Sequence, residues 1–163
     1  MNRETLAKVV VVDASLAAMW VLPEQYADTA LLLADDWGWA GVEIIAPNLM
    51  LAEVDSALFK RVRRREMSIE QAQDALDVVL GFGVRFEDEP GLHHRALAIA
   101  HRLDRPTPYD ALYLALAELR GCEVWTGDER LYNAARSQLP WVRWIGEYCK
   151  SSRGHCHDPR TCL

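Results

Sequence analysis

The chain has 163 residues, 50% of them apolar and 26% charged, with a formal net charge of −6. This length and mix fit one soluble globular domain with a sizeable core. The acidic balance argues against a protein that coats nucleic acid nonspecifically but leaves room for a local basic patch, and no apolar run is long enough to span a bilayer.

Residues 8–12, rich in valine from Val9 to Val12, read as a buried strand, and 15–22 as a short helix stopped by Pro23. Asp13 interrupts this apolar stretch, so a strand followed by a helix is expected rather than a secretory signal, in a cytoplasmic protein. Residues 24–39 carry helical spacing that turns Ala30, Leu31, Leu33 and Ala34 toward the core. A short strand over 43–46 follows. Pro47-Asn48 then opens a helix reaching about residue 65, and Ser68 caps another that runs to 80. Residues 84–86 read as a strand and 92–103 as a helix. Thr107-Pro108-Tyr109-Asp110 is a helix start, with a capping threonine, a proline in the first turn and an acid three residues on. That helix ends near Gly121; a strand over 123–126, a short helix over 128–135 and a last strand over 141–144 complete the order. Strands alternating with helices predict an α/β fold of three layers, helices on both faces of a mainly parallel sheet of four to five strands.

Past Gly146 the apolar period disappears. The chain thus divides into a domain over 1–146 and a tail over 147–163 holding Cys149, His155, Cys156, His157 and Cys162. The tail is expected to be disordered. It lacks the C-x2-C pair of a zinc site, and the cysteines do not frame the domain as a disulfide scaffold would.

Four acids fall where the strand ends of such a sheet meet: Asp13, Glu53, Asp110 and Asp128. Taken singly, Asp13, Asp110 and Asp128 are good helix caps. Glu53 lies off the apolar face made by Met50, Leu51, Val54, Ala57, Leu58 and Val62, on a stripe with Ser56, Lys60, Arg63 and Arg64; alone it is an ordinary solvated glutamate. Together, acids crowded at one crevice repel one another, and a divalent cation is the usual remedy. The segment 60–65 places five basic residues in six positions. It serves equally as a track for a phosphate backbone or as a basic helix end that favours the dipole. His93, His94 and His101 read as surface residues, and the tryptophans as core or interface.

Val10-Val11-Val12-Asp13-Ala14-Ser15 with Trp20, and Leu51-Ala52-Glu53-Val54 with Ala57-Leu58, resemble the first half of a PIN-domain nuclease. Thr107 to Ala117 followed by Thr126-Gly127-Asp128-Glu129-Arg130-Leu131 resembles the second half closely. The resemblance spans about residues 8–146 and is greatest to the VapC-type ribonuclease toxins of toxin–antitoxin pairs. It implies an acidic quartet at Asp13, Glu53, Asp110 and Asp128, with Ser15 and Thr126 as small polar partners, holding one or two Mg²⁺ or Mn²⁺ ions. Asp13 and Asp110 are the expected direct ligands; Glu53 and Asp128 either ligate or orient the attacking water. It further implies RNA cleavage leaving 5′-phosphate and 3′-hydroxyl ends, a homodimer, and a small antitoxin docking on the apolar surface of 24–39, including Trp37 and Trp39. Lys60, Arg63 and Arg64 are the RNA-binding candidates. Trp125, where a small or aliphatic residue is usual, and the Cys/His tail depart from the pattern. The competing readings are a PIN nuclease of RNA processing and a non-catalytic signalling or partner-binding module. A receiver-like module would want paired acids after the first strand and a lysine after a late one; Asp13 is followed by Ala14-Ser15, and Thr126-Gly127-Asp128 has no lysine.

Overall fold

The computed structural model describes residues 8–148, so 149–163, with the tail's Cys and His residues, lie outside the described residues. The first two residues of the expected tail are ordered, Glu147 ending a 3-10 turn and Tyr148 packing edge-on against Trp125. Five strands, β1 (Val9–Val12), β2 (Glu43–Pro47), β3 (Arg85–Glu87), β4 (Glu123–Thr126) and β5 (Val142–Trp144), form one sheet of order β3-β2-β1-β4-β5. Every pairing is parallel. Parallel strands covered on both faces read as unbroken apolar runs rather than alternating ones. Val10, Val11 and Val12 are accordingly buried, as are Ile44, Ile45 and Ala46. The edge strands are three residues long and carry charge: Arg85 pairs with Glu43 and Glu87, and Arg143 with Glu123. Short charged edges discourage pairing with another sheet.

The helices are α1 (Ala14–Met19), α2 (Ala27–Ala40), α3 (Leu49–Arg63), α4 (Ile69–Gly81), α5 (Leu92–Arg102), α6 (Tyr109–Arg120) and α7 (Glu129–Ala135). The chain runs one way from β1 to β3, then crosses back to β4 and β5. Right-handed crossovers therefore put α1 to α4 on one face and α5 to α7 on the other, a three-layer α/β/α arrangement. The helix α6 lies across β1, β2 and β4 with α5 packed on it, while α1 contacts α2, α3 and β4. Seven consecutive residues of α6, Ala111 to Ala117, are buried. They are mostly alanine and leucine, strong helix formers that let the helix lie close to the sheet on one side and to α5 on the other. Gly121 ends α6 in the left-handed region (φ 62°), where Gly121 N–H and Cys122 N–H close on Glu118 and Ala117 carbonyls.

Three local expectations are corrected. Leu31 is 37% exposed although Ala30, Leu33 and Ala34 are buried; α2 begins at Ala27 after a left-handed Tyr26 (φ 68°), and its buried stripe is narrower than the apolar run. Trp37 is not surface but core, packed edge-on against Trp125 with ring centroids 6.2 Å apart, whereas Trp39 is 92% exposed. Thr107 does not cap α6; the residue before the helix is Pro108, and no side chain caps that end.

Ser68 does cap α4: its Oγ accepts from Gln71 N–H (3.1 Å) while Gln71 Oε1 accepts from Ser68 N–H (2.8 Å). This exchange satisfies two backbone donors far from the strand ends. Ser68→Ala is expected to cost about 1 kcal/mol in urea-melt stability, with the chemistry of the strand ends unaffected.

Candidate active site

The order β3-β2-β1-β4-β5 places the change of winding direction between β1 and β4. A crevice opens there beyond the carboxyl ends of the strands, the usual ligand position in such sheets. Asp13 follows β1 immediately and Thr126 ends β4. The two are joined directly, because Thr126 Oγ1 donates to Asp13 Oδ2 at 2.5 Å. Asp13 Oδ1 accepts from Ser15 Oγ (2.7 Å) and from Leu16 N–H (2.9 Å), the latter bond capping α1. With their protons committed to Asp13, the two hydroxyls turn their lone pairs to the β4–α7 turn. Ser15 Oγ accepts from Gly127 N–H and Thr126 Oγ1 from Asp128 N–H, both at 2.9 Å. A Cβ at Gly127 would stand 2.6 Å from Met19 Cε and 3.2 Å from the Ser15 backbone carbon, so a side chain there would force the Met19 methyl aside and press the turn off α1 by a few tenths of an ångström.

Asp13 is buried. Desolvation pushes its carboxyl up to about 6, against the three hydrogen bonds that favour the charged form, and the charge of Asp110 raises it further. Glu53, on α3, is half-buried and also raised, by burial first and then by the charges of Asp13 and Asp110. Tyr113 Oη donates to Glu53 Oε1 at 3.1 Å and opposes that rise. The tyrosine, itself buried, is pushed well above its ordinary value by desolvation and by the charges of Glu53 and Asp13. Three of the four predicted acids therefore share one electrostatic neighbourhood. Asp128 joins it through its backbone, while its Oδ1 accepts from Arg130 and Leu131 N–H as the cap of α7. Asp110 is in the first turn of α6 but is not its cap; its Oδ2 receives Arg105 Nη2 at 2.7 Å.

Oxygen donors with mutually repelling charges suit a hard divalent cation. Among the described residues, however, no three His, Cys, Asp or Glu side chains are grouped closely enough to hold an ion as they stand. The carboxylates are instead engaged by Thr126, Ser15, Tyr113, Arg105 and the α7 amides.

Two participants went unrecognised in the sequence. Tyr113 sits three residues after Asp110, a spacing that puts both on one helix face. Arg105 lies outside the helix and carries no periodic signal. Of the basic residues on α3 and its end, Lys60, Arg63 and Arg64 are exposed, while Arg61 is taken up by Glu24 and Glu66. His93, His94 and His101 are exposed. Trp125 faces Trp37 and Tyr148, its Nε1 donating to Glu123.

The raised Asp13 carboxyl has a consequence for stability. A folded state that binds this proton more tightly than the unfolded chain loses stability as pH climbs from the ordinary value of 3.8 through about 6. Asp13→Asn keeps the amide cap and removes the charge. In the absence of metal it should match the parent protein near pH 4 and exceed it near pH 7.5 by an amount on the order of 2 kcal/mol in urea melts. An advantage equal at both pH values would contradict a desolvated carboxylate.

A model of the PIN domain matches residues 10–137. Ribonuclease VapC1 of Mycobacterium tuberculosis is 41% identical over 96 residues, which are 58% of this chain and 68% of that protein. Two solved structures share the fold. PAE2754 from Pyrobaculum aerophilum matches with a TM-score of 0.59 and 23% identity over 86% of this chain and 92% of its own. VapBC2 from Rickettsia felis, bound to a DNA fragment from their promoter, matches with a TM-score of 0.57 and 16% identity over 83% and 96%. The switch-point acids, the all-parallel order and these matches agree: the chain belongs to the PIN-domain family, on the side of its VapC ribonucleases.

Proposed function

We propose that this protein is a Mg²⁺- or Mn²⁺-dependent endoribonuclease and the toxin of a toxin–antitoxin pair. The observation that carries the reading is the gathering of Asp13, Glu53 and Asp110 beyond the ends of β1 and β4, near enough for the charge of Asp110 to raise the other two carboxyls, in a chain akin to a VapC ribonuclease. Asp13 and Asp110 would hold the ion, with Glu53 and Asp128 as further ligands or as the groups that orient a water. The ion supplies neutralisation of the scissile phosphate and acidification of that water.

The protein's own residues do the rest. Ser15 and Thr126 hold Asp13 in one orientation, with Oδ2 accepting a single hydrogen bond and so keeping acceptor capacity for an ion. Tyr113 fixes Glu53, whose raised pKa suits a carboxylate that takes a proton from water. Hydroxide adds to phosphorus, the bond to the 3′ oxygen breaks, and that oxygen leaves with a proton. The ribose 2′-hydroxyl takes no part, so the ends are 5′-phosphate and 3′-hydroxyl. Lys60, Arg63 and Arg64 supply phosphate contacts along α3, Arg61 being occupied by its two glutamates.

The remaining features are proposed on the same footing. A small antitoxin covers the outer face of α2, where Leu31, Leu32 and Trp39 are exposed. The protein works as a homodimer in the cytoplasm; among the described residues no helix is long and apolar enough to cross a membrane.

Purified protein incubated with total RNA should give discrete fragments in Mn²⁺ and none in EDTA, with 5′-phosphate ends on mapping. Asp110→Asn should lower cleavage by at least ~100-fold, since even outer partners of metal ligands cost 10–100-fold. Cyclic 2′,3′-phosphate ends, or cleavage indifferent to EDTA, would exclude the mechanism; no cleavage of any RNA would favour a partner-binding module. Removing both Arg63 and Arg64 side chains (Arg63→Ala, Arg64→Ala) should raise KM, spare kcat and reduce the salt slope of RNA binding by about one to two.

A further inference from the structure

Arg105 belongs to no strand or helix, yet its position is tightly specified. The helix α5 ends at a left-handed Asp104 (φ 50°). There Asp104 N–H donates to His101 carbonyl (3.2 Å) and Arg105 N–H to Ala100 carbonyl (2.9 Å), the paired bonds of a Schellman end. Pro106 then restricts Arg105 to extended backbone. From this anchor the guanidinium reaches across to α6, where Nη2 meets Asp110 Oδ2 at 2.7 Å. The arginine side chain is only 21% exposed, and its Nε is buried without a partner. Leaving a guanidinium donor unmet is costly. What compensates here is the negative field of Asp110, which reaches Asp13 and Glu53 as well. Asp110 is a direct ligand in the metal-dependent reading, so Arg105 and a divalent ion would compete for its charge.

We propose that Arg105 is a built-in counter-cation for Asp110: it holds the carboxylate in the metal-free protein, competes with the divalent ion for it, and so sets the metal affinity of the site. The inference rests on the metal-dependent reading above. Arg105 acts through Asp110 and is a positioning residue. One positive charge balances part of the acid cluster while no ion is bound, and yields when an ion carrying two arrives. The Schellman anchor keeps the released guanidinium at the rim, so the exchange is reversible.

The test is calorimetric titration of Mn²⁺ into the full chain as wild type, Arg105→Gln, Arg105→Lys and Asp110→Asn. Arg105→Gln should bind Mn²⁺ about threefold to fivefold more tightly, the scale of a partly exposed ion pair. Arg105→Lys should return toward wild type, and Asp110→Asn should lose binding. Metal-free Arg105→Gln should melt at a lower temperature than wild type and gain more from added Mn²⁺. A merely structural arginine would give unchanged or weaker binding when replaced, and that result overturns the proposal while leaving the metal reading intact. Absence of Mn²⁺ binding by the wild type overturns both. A measurement on the wild type alone guards against a variant that fails to fold: the Arg105 Nε–H resonance should shift on saturation with diamagnetic Mg²⁺. A resonance that stays in place while Mg²⁺ binds refutes the exchange.

Discussion

The carboxylate of Asp13 is the point on which the rest of this structure turns. It is buried at the end of the central strand, where an unsupported charge would be expelled or protonated. Two hydroxyls and one amide answer it, and they come from two distant parts of the chain: Ser15 and Leu16 on α1, Thr126 on β4. The same hydroxyls receive amides from the β4–α7 turn. One charge therefore positions the start of α1, the end of β4 and the approach to α7 together. The cost of burying it persists as the raised pKa. In enzymes, a strongly perturbed acid in a cleft commonly marks chemistry rather than architecture.

Electrostatic crowding and local satisfaction pull the site in opposite directions. Asp13, Glu53 and Asp110 are near enough to feel one another, yet each has found its own donor. Such a site is pre-organised in position, with its charge answered by hydrogen bonds and only partly balanced by Arg105. Asp128 caps a short helix with one oxygen and leaves the other uncommitted. Capping and ligation compete as explanations of a sequence, but the caps that Asp13 and Asp128 form in the folded chain are compatible with the ligation proposed for them.

Much of this was readable from the chain alone. The valine run of β1, the alanine–leucine run of α6 and the alternation of elements fixed an α/β sheet because burial on both faces leaves a composition signature. Asp13, Glu53 and Asp110 stood out through their neighbours rather than through their own chemistry. Tyr113 and Arg105 did not, for different reasons. A tyrosine amid a core helix reads as packing, and its hydroxyl has a role only once α3 is placed beside α6. Arg105 depends on a left-handed Asp104, a backbone event with no periodic trace. Leu31 and Trp37 exchanged their expected environments because a short rotation of α2 decides which of several adjacent apolar residues faces inward. Thr107 looked like a cap and is not, since Pro108 takes the position before the first turn.

The bond between Thr126 and Asp13 spans 113 positions of sequence, and β1 sits in the sheet between β2 and β4. During synthesis the amino-terminal strand can pair with β2 and collect α1 to α4, but its other edge stays bare until β4 emerges. Until then Asp13 lacks its Thr126 donor, and the crevice has only one wall. An incomplete chain on the ribosome, however well its first half has folded, lacks the Thr126 wall, so the crevice is assembled only when that late strand docks.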